Sequence, residues 1–269
     1  MIGAIIGDII GSIYEFSAGK MLSSDEFFKE SSRFTDDSVM TVAIGYALFK
    51  AGKNADADTI KKYCIQYMHR LGKKYPNAGY GGRFVQWIEN KETEPYGSFG
   101  NGSAMRVSAA GWLYDSLERT REVAAATASV THNHPEGIKG AEAVASIIYL
   151  ARTGASRSEI AEYVTKTFDY DITKSPDNIR KAYKHNTTCQ GTVPEAIVAF
   201  LSGESFEDVI RIAVSFGGDT DTLTAIAGSM AEAKYGVPDW MIKEVDKRLT
   251  FRLRHMIRRV QRVYKSKPA

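Results

Sequence analysis

The chain has 269 residues, of which 43% are apolar and 25% charged, and its formal net charge is +3. This length can bury a large core within a single domain. No stretch of about 18 apolar residues occurs, and the N-terminus lacks the basic start and cleavage site of a signal peptide, so we expect a cytoplasmic protein with no membrane partner. Cys64 and Cys189 stand apart from any metal-binding or disulfide pattern and are expected to be buried thiols.

Helical periodicity dominates the sequence and predicts an all-α protein, a single compact domain over 1–269. Residues 57, 60, 64, 67 and 71, for example, place Ala, Ile, Cys, Tyr and Leu on one face. Patterns of alternating polarity are nearly absent, which argues against a sheet. The predicted helices span about 2–14, 37–51, 56–71, 102–116, 119–129, 136–152, 157–168, 192–201, 205–214, 220–234 and 239–263.

The first predicted helix carries a stripe of small residues, with Gly3, Gly7 and Gly11 on one face. Such a face lets a second helix approach closely. Asp8 lies on the same face, and we expect it to make structural hydrogen bonds. Glu15 follows the apolar segment, where it could project into a cleft as a general acid or base or as a gate over bound metals.

Two short acidic turns near opposite ends of the chain are its most informative feature. Thr35, Asp36 and Asp37 precede one predicted helix, and residues 219–222, Asp-Thr-Asp-Thr, precede another. One acid at a helix N-terminus is ordinary capping, but four carboxylates brought together need cations between them. Oxygen-only ligands suit Mg²⁺ or Mn²⁺, and the number of ligands favours two ions, which would support hydrolysis.

Glycine-rich connections at 79–82, 97–102 and 216–218 suggest loops that line one pocket, since glycine lets the backbone approach a ligand. The run 100–106, Gly-Asn-Gly-Ser-Ala-Met-Arg, can offer backbone N–H groups to an anion such as a diphosphate. His132 and His134 flank a turn with no third nitrogen or sulfur ligand nearby, so His132 is considered for substrate contact rather than for zinc.

Nine basic residues and no acidic residue lie between positions 247 and 267. Apolar residues recur there at three- and four-residue steps, which predicts an amphipathic helix with a solvated basic face. Contact with nucleic acid is the alternative, and we do not expect a nucleic-acid partner. The basic residues are Lys247, Arg248, Arg252, Arg254, Arg258, Arg259, Arg262, Lys265 and Lys267.

Together these motifs resemble the ADP-ribosylglycohydrolase family in order, spacing and chain length. The resemblance extends from residue 3 to about residue 236 and rests mainly on the two acidic turns. It implies an all-α fold with two Mg²⁺ or Mn²⁺ ions in a central cleft. It also implies hydrolysis of the bond between ADP-ribose and a modified acceptor, which is a protein side chain or a small-molecule conjugate.

The resemblance implies a role for each matching residue. Glu15, Asp36 and Asp219 would be catalytic, with Glu15 or a ligand carboxylate relaying a proton. The metal ligands would be Thr35, Asp36, Asp37, Asp219, Asp221 and Thr222. The substrate-binding residues would be Tyr80, Ser98, Phe99, Gly100, Asn101, Gly102, Ser103, Met105 and His132, with Phe99 available for stacking.

Three questions stay open from the sequence. Arginine-directed relatives can place an acid near the substrate loop, and this chain has Ser98 there. This disfavours an arginine acceptor, but both arginine and serine stay open as acceptors. A two-metal phosphohydrolase is a rival enzyme class, which predicts release of phosphate rather than intact ADP-ribose. A non-catalytic protein on the same fold would be expected to lose residues of the metal set or Glu15, and all of them are present.

Overall fold

The computed structural model describes residues 1–15 and 26–265, and its regular secondary structure there is entirely helical. No strand occurs within these residues, only an isolated bridge between Gly100 and Thr188. The helices are α1 (Ile2–Gly11), α2 (Asp36–Ala51), α3 (Ala57–Lys74), α4 (Gly82–Glu89), α5 (Gly102–Met105), α6 (Ser108–Leu113), α7 (Leu117–Ser129), α8 (Pro135–Arg152), α9 (Arg157–Phe168), α10 (Pro176–Ala182), α11 (Cys189–Ser202), α12 (Phe206–Phe216), α13 (Thr220–Tyr235), α14 (Asp239–Arg248) and α15 (Phe251–Lys265). The all-α prediction is confirmed.

Two of the helices expected from the sequence are each divided in the structure. The predicted helix 102–116 is the short α5 and α6, separated at Arg106 and Val107, where the Arg106 side chain turns inward to reach Thr131. The predicted helix 239–263 breaks at Leu249, whose backbone is extended. Its apolar periodicity continues across the break because Leu249 and Leu253 are both buried. Periodicity alone therefore missed both breaks.

Two further differences concern the end of α1 and the presence of α4. Helix α1 stops at Gly11, three residues earlier than expected, and a turn carries the chain to Glu15. Helix α4 was not expected, because the glycines around it indicated a loop. Its buried residues Phe84, Trp87 and Ile88 nevertheless follow helical spacing and pack its inner face into the core.

The stripe of glycines on α1 brings that helix into backbone contact with α13. A Cβ atom added at Gly7 would lie 2.1 Å from the carbonyl oxygen of Thr224, and one added at Gly11 would lie 2.4 Å from that of Thr220. The same face meets Gly228 at Gly3, so the two helices run antiparallel. This packing sets the start of α13 beside the end of α1.

Around this pair, buried apolar side chains from Met1 to Val260 form one continuous cluster. Both cysteines are buried free thiols, as expected. In α15, Leu253, Met256 and Val260 face the core while Arg258 is exposed, which confirms the amphipathic interpretation. Lys267, the last of the basic residues, lies outside the described residues. In the described parts of the chain, none of the helices combines the length and apolarity needed to cross a membrane.

Candidate functional site

The first acidic turn is held in place by Asp8 of α1. Both oxygens of the Asp8 carboxylate accept hydrogen bonds from Thr35, at 2.9 Å from its backbone N–H and 2.6 Å from its hydroxyl. The backbone N–H and the hydroxyl of Ser38 donate to Asp8 as well. Thr35 in turn caps α2 by accepting from the N–H of Asp37. Asp8 thus makes the structural hydrogen bonds expected of it.

The second acidic turn lies against the first. Asp219 occupies the N-cap position of α13 without a side-chain capping hydrogen bond, and Asp221 and Thr222 occupy the first turn of that helix. The Thr222 hydroxyl donates to Oδ2 of Asp37 at 3.0 Å, across 185 positions of sequence. The glycine packing of α1 on α13 makes this approach possible, because it aligns the ends of both helices.

Carboxylate oxygens gather in two overlapping groups in this region. One group contains Asp8, Asp37 and Asp221, and the other contains Glu15, Asp219 and Asp221. Within each group, one oxygen from every residue lies within 4.8 Å of the others. Asp221 belongs to both groups, so the arrangement is continuous rather than two separate clusters. Glu15, which the sequence left at the end of a helix, joins it.

The crowding of these carboxyl groups, and of Asp36, which belongs to neither group, changes their protonation. Burial, followed by the charge of Asp8, raises the pKa of Asp36 to about 8. Burial and then the charge of Asp221 raise the pKa of Asp37 well above its ordinary value. The pKa of Asp221 is raised in the same way, first by burial and then by the charge of Asp219. If these carboxyl groups are all ionised, they need a compensating positive charge.

The donor set fits a divalent cation on two counts. Oδ1 of Asp37 is buried and has no hydrogen-bond partner among the described residues, so a buried acceptor is left open. The hydroxyls of Thr35 and Thr222 each donate their one proton to a carboxylate, Asp8 and Asp37 respectively. Each hydroxyl oxygen therefore keeps lone-pair capacity. The residues that could hold such ions are thus oxygen donors only, as Mg²⁺ and Mn²⁺ prefer.

A glycine-rich segment forms the opposite side of the site and is tied to the acidic turns by one side chain. The amide of Asn101 donates to Oδ2 of Asp219 at 2.7 Å and to the Thr192 hydroxyl at 3.1 Å. His132 packs its ring edge against the same segment, where Nε2 would lie 3.4 Å from a Cβ added at Gly102. We call Glu15 with residues 35–37 and 219–222 the acidic wall, and residues 98–105 with His132 the loop wall.

Between the two walls lies a cleft of about 510 Å³, a volume suited to a small organic ligand. Most of the predicted site residues line it. They are Glu15, Thr35, Asp36, Asp37, Ser98, Gly100, Asn101, Gly102, Met105, His132, Asp219, Asp221 and Thr222.

Three predicted substrate-binding residues lie outside the lining of the cleft. The Phe99 ring is 45% exposed and contacts His134, with ring centroids 5.3 Å apart. Ser103 is fully buried and donates to the Gly137 carbonyl at 2.7 Å. Tyr80 buries its hydroxyl without a hydrogen-bond partner among the described residues. Their roles in substrate binding stay predictions.

The structure also brings residues to the cleft that the sequence did not single out. Arg33, Arg83, Tyr96, Arg106 and Thr187 all line it. Arg106 ends the run 100–106 and could have been found from that motif. Arg33, Arg83 and Tyr96 adjoin predicted site segments but carry no pattern of their own, whereas Thr187 is distant from all of those segments in the sequence.

The fold and the site together define an all-α protein with a cleft walled on one side by carboxylates. The chain belongs to the ADP-ribosylglycohydrolase family, whose model matches residues 1–267. This confirms the resemblance drawn from the sequence, and with it a hydrolase.

Among similar proteins, ADP-ribosylhydrolase ARH3 of Mus musculus is 26% identical, and the match covers 87% of this chain and 82% of the relative. ADP-ribosylarginine hydrolase Tri1 of Pseudomonas putida is 25% identical, covering 90% and 72%. The ADP-ribosyl-[dinitrogen reductase] glycohydrolase of Rhodospirillum rubrum is also 25% identical, covering 90% and 87%. A solved structure titled "ADP-ribosylglycohydrolase-related protein complex" superposes with a TM-score of 0.72 at 20% identity, covering 98% of this chain and 95% of the other, so it shares the fold.

Proposed function

We propose that this protein is a metal-dependent hydrolase that releases ADP-ribose from a modified acceptor by hydrolysing the bond at C1″ of the distal ribose, and that residues 1–269 form its single domain. One observation carries the proposal: the two acidic turns meet across 185 positions in one cleft, opposite a loop wall that can hold a polar ligand. Family membership supplies the reaction class.

The proposed metal ligands are the oxygens of Thr35, Asp36, Asp37, Asp219, Asp221 and Thr222. The open Oδ1 of Asp37 and the raised pKa values of the buried carboxyl groups support them. Two Mg²⁺ or Mn²⁺ ions held there would supply Lewis-acid catalysis of hydrolysis. Since the fit depends on oxygen donors alone, a soft metal is not expected to replace them.

Glu15 is the proposed carrier of a proton. Burial and the neighbouring charge of Asp219 raise the pKa of its carboxyl group, which favours a protonated Glu15 closer to neutral pH. A side-chain interaction with Asp221 acts in the opposite direction on this pKa, without cancelling the rise. The remaining carboxylates, Asp36 and Asp219 among them, would stabilise positive charge that develops on the ribose.

The proposed acceptor is a protein side chain, either arginine or serine. The names of two relatives, ADP-ribosylarginine hydrolase and ADP-ribosyl-[dinitrogen reductase] glycohydrolase, specify an ADP-ribosylated arginine and an ADP-ribosylated dinitrogen reductase, which supports a protein substrate. Arg33 lines the cleft of this chain and its charge acts on Glu15, whereas the charge of Arg83 is paired with Glu92. A cation at the position of Arg33 makes an uncharged serine linkage the easier of the two to accommodate.

The test is release of ADP-ribose by the purified protein from arginine-linked and serine-linked ADP-ribosyl peptides, with Mg²⁺, Mn²⁺ or EDTA. We expect release with a divalent ion from at least one peptide, and none with EDTA or with Asp219→Ala. Asp239→Ala, which removes an exposed first-turn carboxylate of α14, is the matched control and should stay active. Release of inorganic phosphate would support the phosphohydrolase instead, and no product from either peptide would support a non-catalytic role.

A further inference from the structure

Three side chains at the loop wall form a chain of hydrogen bonds that ends at the cleft. Nη2 of Arg106 donates to Oγ1 of Thr131 at 2.8 Å. The same Oγ1 lies 2.8 Å from Nδ1 of His132. Arg106, Thr131 and His132 are all buried, so water does not compete for these bonds. The order of donors and acceptors along these hydrogen bonds therefore decides which ring nitrogen of His132 carries the proton.

The order follows from what each group can do. A guanidinium only donates, so Arg106 occupies a lone pair of the Thr131 oxygen. Thr131 then has one proton to give, and Nδ1 of His132 is in reach to accept it. A neutral imidazole that accepts at Nδ1 carries its proton at Nε2. We propose that Arg106 and Thr131 are positioning residues that lock His132 in the Nε2–H form, making it a permanent hydrogen-bond donor to bound ADP-ribose.

One competing arrangement exists and gives the opposite tautomer. The Tyr96 phenol also has a side-chain hydrogen bond with Thr131. If Thr131 gave its proton to Tyr96, His132 would have to donate from Nδ1, and Nε2 would become an acceptor. An acceptor at that point would repel the oxygens of a diphosphate or leave them unpaired. The two arrangements therefore differ in a way that can be measured on the ring itself.

The position of Nε2 supports a role toward ligand. It faces Gly100 and Gly102 of the loop wall, and His132 lines the cleft. Within the described parts of the chain, Nδ1 is the only ring nitrogen of His132 that makes a hydrogen bond. ADP-ribose is rich in phosphate and hydroxyl oxygens, which accept hydrogen bonds from a donor such as Nε2–H. The role of His132 as a donor to ADP-ribose rests on the proposed function, whereas the tautomer of the ring does not.

Arg106 adds a second contribution, which is positive charge. It is only 2% exposed, and the groups acting on its pKa are Tyr96, Cys64 and Cys189, with no carboxyl group among them. A buried cation without an acidic partner is costly to the fold. Burial, and next the charge of Arg106, lower the pKa of His132 well below its usual value, which keeps the ring neutral. The same charge favours an anionic ligand in the cleft.

The first experiment reads the tautomer by ¹⁵N NMR of the imidazole nitrogens in the whole protein near pH 7. We expect the Nε2–H form alone in the wild type and in two variants. Thr131→Ser keeps the hydroxyl, and Tyr96→Phe removes the phenol that competes for the Thr131 proton. Thr131→Val should show a mixture of both tautomers. An Nδ1–H form in the wild type, or a change of tautomer in Tyr96→Phe, would overturn the proposal.

The second experiment measures ADP-ribose binding by calorimetry and the steady-state kinetics of ADP-ribose release. Thr131→Val should bind ADP-ribose about tenfold more weakly and raise KM more than it lowers kcat, while Thr131→Ser restores both. Arg106→Lys, which keeps the charge and can still donate to Thr131, should lose less affinity than Arg106→Met. Equal binding by Thr131→Val and wild type would refute the donor role.

The two experiments separate the two proposals. An Nε2–H tautomer in a protein that binds no ADP-ribose would leave the hydrogen-bond chain intact and contradict the proposed function. Tight ADP-ribose binding with an Nδ1–H tautomer would support the proposed function and contradict the proposed order of hydrogen bonds.

Discussion

The two walls of the cleft are built in different ways. The acidic wall stands on helix ends, α1, α2 and α13, which are fixed by backbone packing at Gly7 and Gly11 and by four hydrogen bonds to Asp8. The loop wall is held by backbone hydrogen bonds to Thr131, Thr187 and Cys189, together with the side chains of Asn101 and His132. One wall is therefore fixed by helix packing, and the other by hydrogen bonds between loops.

This difference has a chemical reason. Carboxylates that share cations must keep fixed mutual distances while they repel one another, and only a rigid frame can hold them. A wall that accommodates a polar ligand needs donors in suitable directions, which loops on a rigid scaffold provide. Changes to the acidic wall should therefore affect the reaction or the fold severely, whereas changes to the loop wall should mainly affect ligand affinity.

The largest effect is expected from Asp37→Asn in the acidic wall. The amide keeps the size of the side chain but removes the charge and one of the oxygens proposed to bind a cation. We expect kcat/KM for ADP-ribose release to fall by roughly 10³-fold, beyond the loss of about 10–100-fold usual for a residue that only orients a ligand. Steady-state kinetics at saturating Mn²⁺ measures this.

Asp58→Asn is the control, because it removes an exposed first-turn carboxylate from α3 as Asp37→Asn removes a buried one from α2. It should leave kcat/KM unchanged. A loss of less than about tenfold in Asp37→Asn would show that the acidic wall is not the centre of the reaction.

The frame of the acidic wall is tested by Gly7→Ala. In an ordinary helix this change is stabilising, but here the new Cβ would lie 2.1 Å from the backbone oxygen of Thr224. Helices α1 and α13 would have to separate, and we expect a loss of roughly 1–3 kcal/mol in the free energy of unfolding. Urea denaturation followed by circular dichroism measures it.

Gly82→Ala serves as the counterpart, since a Cβ at this position in α4 meets nothing within 4 Å. Its stability should match or slightly exceed that of the wild type. Equal stability of both variants would mean that the close contact of α1 with α13 does not support the wall.

The unequal construction of the walls also explains what could be predicted from the sequence. Spaced glycines on α1 indicated the close helix contact, and the paired acids at 35–37 and 219–222 indicated the acidic wall, because both patterns are local. The capping box at the start of α9 is equally local, since Ser156 and Glu159 stand three positions apart. Helix breaks were not readable where buried residues continued the periodicity, as at Leu249.

Other parts of the cleft show the limit of sequence patterns. Arg33, Arg83 and Tyr96 line the cleft, yet each stands in an unremarkable local sequence. The hydrogen bond from Asn101 to Asp219 joins residues 118 positions apart, and no sequence pattern predicts such a contact. Such contacts depend on how the helices are arranged in three dimensions. The positions of Phe99 and Ser103 outside the cleft lining depend on the same long-range geometry.

A smaller effect is expected where the walls meet, at Asn101→Ala. This variant removes the 2.7 Å hydrogen bond to Asp219 and leaves every carboxylate in place. We expect kcat/KM to fall by about 10–100-fold, mostly through KM, as for a group that orients a ligand. Asn90→Ala, which removes an exposed amide that bonds Glu92, is the control and should be neutral. A loss as large as that of Asp37→Asn would erase the distinction between the walls.

The smallest effect is a pH dependence of the metal-free acidic wall, seen by comparing wild type with Asp36→Asn in EDTA. The pKa of Asp36 is about 8 in the folded protein, above its value of about 4 in the unfolded chain. A raised folded pKa means that the folded state binds the proton more tightly, so this stability is present below pH 4 and is lost as the pH rises through 8.

The amide of Asp36→Asn does not titrate. From pH 5 to pH 9 the wild type should therefore lose about 1–2 kcal/mol relative to the variant, since partial exposure of Asp36 to water screens the shift. Urea midpoints at each pH measure this difference, and adding Mn²⁺ should reverse its sign, because a cation stabilises the ionised carboxylate. A difference that stays constant with pH would indicate that Asp36 is already ionised in the metal-free fold, and the acidic wall would then tolerate its charges without cations.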